Sequence, residues 1–139
     1  MGTGIRAEVS RKNKYWISRH KYYELKHFCL QYPEWKDRYR ELSDFDTGCL
    51  TLSVRDKNSR HGDPTAERAV LLAEYSTRMK LIEEAAMDAD SDLYRYILKA
   101  VTEGLSFVQL KQMYDIPCSR DMFYERYRRF FWILNRRRK

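Results

Sequence analysis

Residues 104–134 read GLSFVQLKQMYDIPCSRDMFYERYRRFFWIL. Ser106 with Gln109 three residues on is a capping box, and it opens a short helix in which Leu110 and Met113 face inward. Ile116 supplies an apolar plug for the turn, and Pro117 stops the first helix. Ser119 caps a second helix, with Asp121 in its positive first turn. Inside it, Phe123, Tyr127, Phe130 and Leu134 step by four, three and four, which predicts one buried stripe. Helix, plugged turn and basic helix in this order predict a helix-turn-helix.

The second helix carries the charge that duplex phosphates attract. Arg120, Tyr124 and Arg128 form a stripe apart from the buried one, and Arg126, Arg129 and the tail Arg136-Arg137-Arg138-Lys139 add more charge. A helix in the major groove reads base edges with its early residues and braces on phosphates elsewhere. Arg120, Asp121 and Tyr124 are therefore the base-reading candidates, with Ser119 near the backbone. Arg126, Arg128 and Arg129 are candidate phosphate contacts, and Arg136, Arg137 and Arg138 extend that surface. The competing reading is a solvated basic face whose last arginines complement the helix dipole. The ordered caps and the plugged turn favour DNA binding over it.

Upstream, the chain reads as helices. Ser18 caps a segment over 18–31, in which Tyr22, Leu25, Phe28 and Cys29 share a face. Pro33 suits the start of the next helix, a short one marked by Trp35, Tyr39 and Leu42, whose aromatics read as packing. Residues 43–63 are rich in turn formers, and the alternation of Leu50, Leu52 and Val54 permits one short strand within 49–55. Asp63-Pro64-Thr65-Ala66-Glu67 starts a long helix running to about Asp88. Its stripe of Leu71, Tyr75, Arg78 or Met79, Ile82 and Ala86 serves either a domain spine or a dimer seam, since both need one apolar face. Asp90-Ser91-Asp92 breaks it, Leu93, Tyr96, Ile97, Ala100 and Val101 line one side of a further helix, and Gly104 ends that helix. The expected fold class is all-α: a multi-helix domain with a C-terminal helix-turn-helix and at most that one strand. The expected organisation is a flexible basic arm over 1–14, an aromatic helical segment and loop over 15–62, and the long helix with the helix-turn-helix over 63–139.

Charge is segregated along the 139 residues. Residues 1–62 hold 13 basic and 8 acidic side chains, 63–89 hold 3 and 6, and 90–139 hold 11 and 6. Two basic regions flanking an acidic middle point to a polyanionic partner more than the net charge of +7 does. Cys29, Cys49 and Cys118 are far apart and odd in number, which argues for a reducing, cytoplasmic setting and against a disulfide framework. The first residues have no apolar signal core, Arg6 disfavours myristoylation, and no apolar run is long enough for a bilayer.

Catalysis and metal binding find little purchase. His20 and His27 lie two helical turns apart, about 10 Å of rise, which is too far for one ion. There is no glycine-rich phosphate loop, nucleophile elbow or HExxH, and Cys118 reads as a packed side chain. No enzyme, cofactor or metal is expected.

Gly104-Leu105-Ser106, the turn from Ile116 to Arg120, and the aromatic-rich helix from Phe123 to Phe131 resemble the C-terminal helix-turn-helix of the RinA/ArpU group. These are small regulators of phages and prophages, similar in pattern to the last helix-turn-helix of sigma factors. The resemblance covers about a third of the chain well. Asp115 stands where a glycine often sits, and the turn holds an extra residue around Pro117-Cys118. What the resemblance implies is a late-gene transcription activator, a homodimer on double-stranded promoter DNA, with RNA polymerase as a further partner. The alternative expectation is a phage or mobile-element protein that inhibits a host nucleoprotein, RNA polymerase or a CRISPR nuclease. It would dock through a surface containing Trp16, Tyr22, Tyr23 and Trp35.

Overall fold

A computed structural model describes residues 13–48 and 64–138, with backbone only for 45–48. These residues form six helices and no strand. They are α1 (Arg19–Leu30), α2 (Tyr32–Gly48), α3 (Pro64–Ala89), α4 (Tyr94–Glu103), α5 (Phe107–Tyr114) and α6 (Arg120–Arg137). The expected arm over 1–14 falls outside the described residues except for its last two, and the expected strand over 49–55 falls outside them entirely.

Local chemistry sets most helix ends. The Ser18 hydroxyl accepts from the Lys21 amide at the start of α1. Asp90 accepts from the amides of Asp92 and Leu93 and so starts the turn into α4. Gly104 stops α4 at φ 72°, a left-handed conformation that costs a residue with a Cβ. Ser106 and Gln109 make both halves of the capping box on α5. Asp115, where the resembling family favours glycine, ends α5 at φ 50°. The Ser119 hydroxyl accepts from the Met122 amide and opens α6.

Packing then joins the helices on one core. α3 and α6 lie along each other, α2 runs along α3, and α4 touches α1, α2, α3, α5 and α6. Phe123, Tyr127, Phe130 and Leu134 are buried as the four-three-four spacing predicts, and Phe131 joins them with no exposure. Phe131 meets the Tyr22 ring of α1 edge-on at 5.2 Å. α1 and α2 thus contribute Tyr22, Leu25, Cys29 and Trp35 to the same core as α6.

Two expectations need correction, and a third is narrowed. Met113 is 58% exposed, not inward-facing. α5 is only eight residues long, and after Asp115 turns the chain, buried Ile116 fills the core beside it. α2, which packs along α3, continues through Asp44 and Asp46 to Gly48, since weak local helix preference does not by itself end a helix. The long stripe on α3 is buried only toward its C-terminal end: Ile82 and Ala86 are in the core, whereas Leu71 is 40% exposed. The C-terminal half of α3 is therefore a spine for α2, α4 and α6.

Phe131→Ala is expected to cost about 3–5 kcal/mol through its cavity. Gly104→Ala should cost about 1 kcal/mol through backbone strain alone, since an added Cβ would sit an ordinary 3.7 Å from the Leu30 side chain. Urea unfolding of both variants checks the size and the order of these losses.

Candidate nucleic-acid interface

The free end of α6 is its first turn. Ser119, Arg120, Asp121 and Met122 are exposed, while Phe123 behind them is fully buried. The Arg120 guanidinium lies over the Tyr124 ring, 5.3 Å from its centre, and half-buried Tyr124 rests on Phe123. An exposed arginine is thereby held on an aromatic shelf that is itself anchored in the core. Asp121 offers a carboxylate acceptor beside it, complementary to the exocyclic amino group of a base. The helix end adds a positive dipole and exposed amides.

The arginines of α6 divide into two sets by partner. Arg126 donates from Nε to Asp90 Oδ2 at 2.8 Å and also pairs with Glu125. Arg137 pairs with Glu84 at 3.2 Å and with Asp88, both on α3. Arg138 reaches Glu24 of α1 at 3.4 Å and stacks on Phe28 with its guanidinium 4.0 Å from the ring centre. These three brace α6 against the rest of the molecule. Arg120, Arg128, Arg129 and Arg136 have no carboxylate partner among the described residues. Arg136 lies over Trp132 at 4.8 Å, and the buried Nε of half-buried Arg128 has no hydrogen-bond acceptor. Of the ten residues singled out for DNA contact, the structure gathers Ser119, Arg120, Asp121 and Tyr124 at one end. It ties Arg126, Arg137 and Arg138 into ion pairs.

The Asp90–Arg126 pair fixes where the leading end points. Asp90 holds the α3–α4 turn through two backbone amides with one oxygen and takes Arg126 with the other. Partial burial pushes its carboxyl up, but the Arg126 hydrogen bond, the Leu93 and Asp92 amides and the Arg126 charge together pull it below its ordinary value.

Other sites show less chemistry. The Cys29 thiol is buried and pushed up by desolvation, and Cys118 is pushed up by burial and by the nearby Asp90, so both stay protonated. Among the described residues no cluster of three His, Cys, Asp or Glu could hold a metal ion. His20 and His27 are both exposed on α1. No helix among the described residues is long and apolar enough to cross a membrane. No family model, curated protein or solved structure matches the chain.

Asp90 has a folded-state pKa below the unfolded value of 3.8. Its contribution to stability is whole above that value and is lost as pH falls through the lower folded one. Acid titration of thermal stability below pH 4 should therefore show a steeper fall for the natural chain than for Asp90→Asn. Identical acid limbs would remove Asp90 from this role.

Proposed function

We propose that this protein is a DNA-binding transcriptional regulator of the phage or prophage type, with α5 and α6 as its helix-turn-helix. The observation that carries the reading is the exposed first turn of α6, where Arg120 and Tyr124 stand free of carboxylates ahead of a fully buried Phe123. A recognition helix needs that combination: a rigid buried face behind and polar side chains that reach base edges in front. Arg129 and Arg136, without acid partners among the described residues, supply phosphate contacts along the same helix. A single leading turn touches few base pairs, so a specific site calls for two copies on two half-sites.

The inhibitor reading draws less support. Two of the four aromatics assigned to its docking surface, Tyr22 and Trp35, are core residues with 0% and 5% exposure. Tyr23 is half-buried and Trp16 is 37% exposed.

Selection from a randomised duplex library, followed by binding of the selected site over a salt series, tests the reading. Arg120→Ala and Tyr124→Ala should each cost about 1–3 kcal/mol on the selected site and relax its sequence preference. Arg129→Ala should weaken every duplex alike and reduce the salt slope by about one. Arg137→Ala should leave the slope unchanged and lower thermal stability instead. A library that yields no preferred sequence, with binding indifferent to Arg120→Ala, would contradict the proposal.

A further inference from the structure

A second surface lies away from α6. Two shallow depressions of about 230 and 200 Å³ meet at Arg95 and Lys99 of α4. One extends to Tyr96 and Tyr114, at the end of α5. The other extends to Tyr32 and Lys36 of α2, past Tyr94. Joined at their shared residues, they make a strip across three helices. None of the lining residues belongs to α6.

The strip is cationic and aromatic together. Lys36 and Arg95 are exposed and have no acid partner among the described residues. Lys99 pairs with Glu103 at 3.4 Å, which cancels the one carboxylate in the lining, and sits 5.1 Å from the centre of the Tyr114 ring. Tyr94 and Tyr96 are half-buried and Tyr114 is 36% exposed, so each ring leaves part of its surface to solvent. The Tyr32 hydroxyl is engaged by Glu83 and forms part of the wall.

We infer that this strip binds single-stranded nucleic acid, with bases against Tyr96, Tyr114 and Tyr94 and phosphates on Lys36, Arg95 and Lys99. The geometry favours that occupant over others. Rings set beside the unpaired Lys36 and Arg95 suit a chain that alternates bases with phosphates. A duplex hides its base faces and would use only the cations. An acidic peptide would use the cations and leave the tyrosine rings without a counterpart. The two depressions are small and open and meet at Arg95 and Lys99, so an occupant of both has to run across that ridge, as a linear polymer can. The inference stands apart from the reading of α6, because the two surfaces share no residue.

Fluorescence anisotropy of a labelled oligothymidylate with the full chain is the test, at moderate salt and with far-ultraviolet circular dichroism confirming the fold of each variant. The natural chain should bind it saturably. The double reversal Lys36→Glu with Arg95→Glu should lower affinity by about tenfold or more and flatten the salt dependence. Tyr96→Ala with Tyr114→Ala should lower it severalfold, and phenylalanine at both positions should restore it, since stacking needs the ring and not the hydroxyl. Arg120→Ala with Arg129→Ala should leave oligothymidylate binding intact even where duplex binding is lost. Three results would overturn the inference. One is affinity unchanged by the charge reversal. Another is equal loss on changing Arg120 and Arg129. The third is displacement by polyglutamate of the same length as effectively as by unlabelled oligothymidylate.

Discussion

Phe131 of α6 lies between Tyr22 of α1, 5.2 Å away edge-on, and Tyr127 one turn back on its own helix at 5.0 Å. Phe130 stands at 5.0 Å beside it, nearly perpendicular. Edge-to-face contacts between rings this close are directional, so they set rotation about the helix axis as well as distance. That rotation decides which side chains of α6 reach solvent. With Phe123, Tyr127, Phe130, Phe131 and Leu134 turned inward, the stripe of Arg120 and Tyr124 is left at the surface. The N-terminal helices thereby help to set which face of the C-terminal one is exposed, with Tyr22 of α1 acting through the core.

Charge segregation along the chain has an intramolecular use. The acidic stretch over 63–89 forms α3, and α3 packs along α6. Glu84 and Asp88 on α3 take Arg137, and Asp90 just beyond takes Arg126. Exposed pairs of this kind each contribute little, but their placement matters. They occupy guanidiniums along the body and far end of the helix, and the first turn keeps an arginine that no acid claims. Arg128, Arg129 and Arg136 are likewise left without an acid among the described residues. A reading of charge from composition alone gives all seven arginines from Arg120 to Arg138 equal standing.

The elements readable from the sequence are those whose causes are local. Ser18, Ser106, Gln109, Gly104 and Ser119 act on backbone groups within four residues, and each sits in the structure where its chemistry puts it. The four-three-four stripe of α6 is legible for the same reason, since helical spacing needs no knowledge of a partner. What escaped depends on a neighbour far along the chain. Phe131 is buried because α1 folds over it, 109 residues away from Tyr22 in sequence. Arg126, Arg137 and Arg138 find acids 36, 49 to 53 and 114 positions away. A faint signal for that pairing existed in the acidic middle segment, whose charge opposes that of the helix it packs against.

The same logic bears on how two nucleic-acid surfaces could coexist on so small a molecule. On α4, Ile97, Ala100 and Val101 face the core, whereas Arg95 and Lys99 fall on the opposite side of the same helix and half-buried Tyr96 lies at the edge between them. Helical periodicity alone separates these two sets, because residues two apart point away from each other. α4 touches both α5 and α6, so the residues it turns outward lie on a frame shared with the helix-turn-helix while using none of its α6 side chains. Two routes join the surfaces: the direct packing of α4 on α5 and α6, and Asp90, which links the entry to α4 with Arg126 on α6.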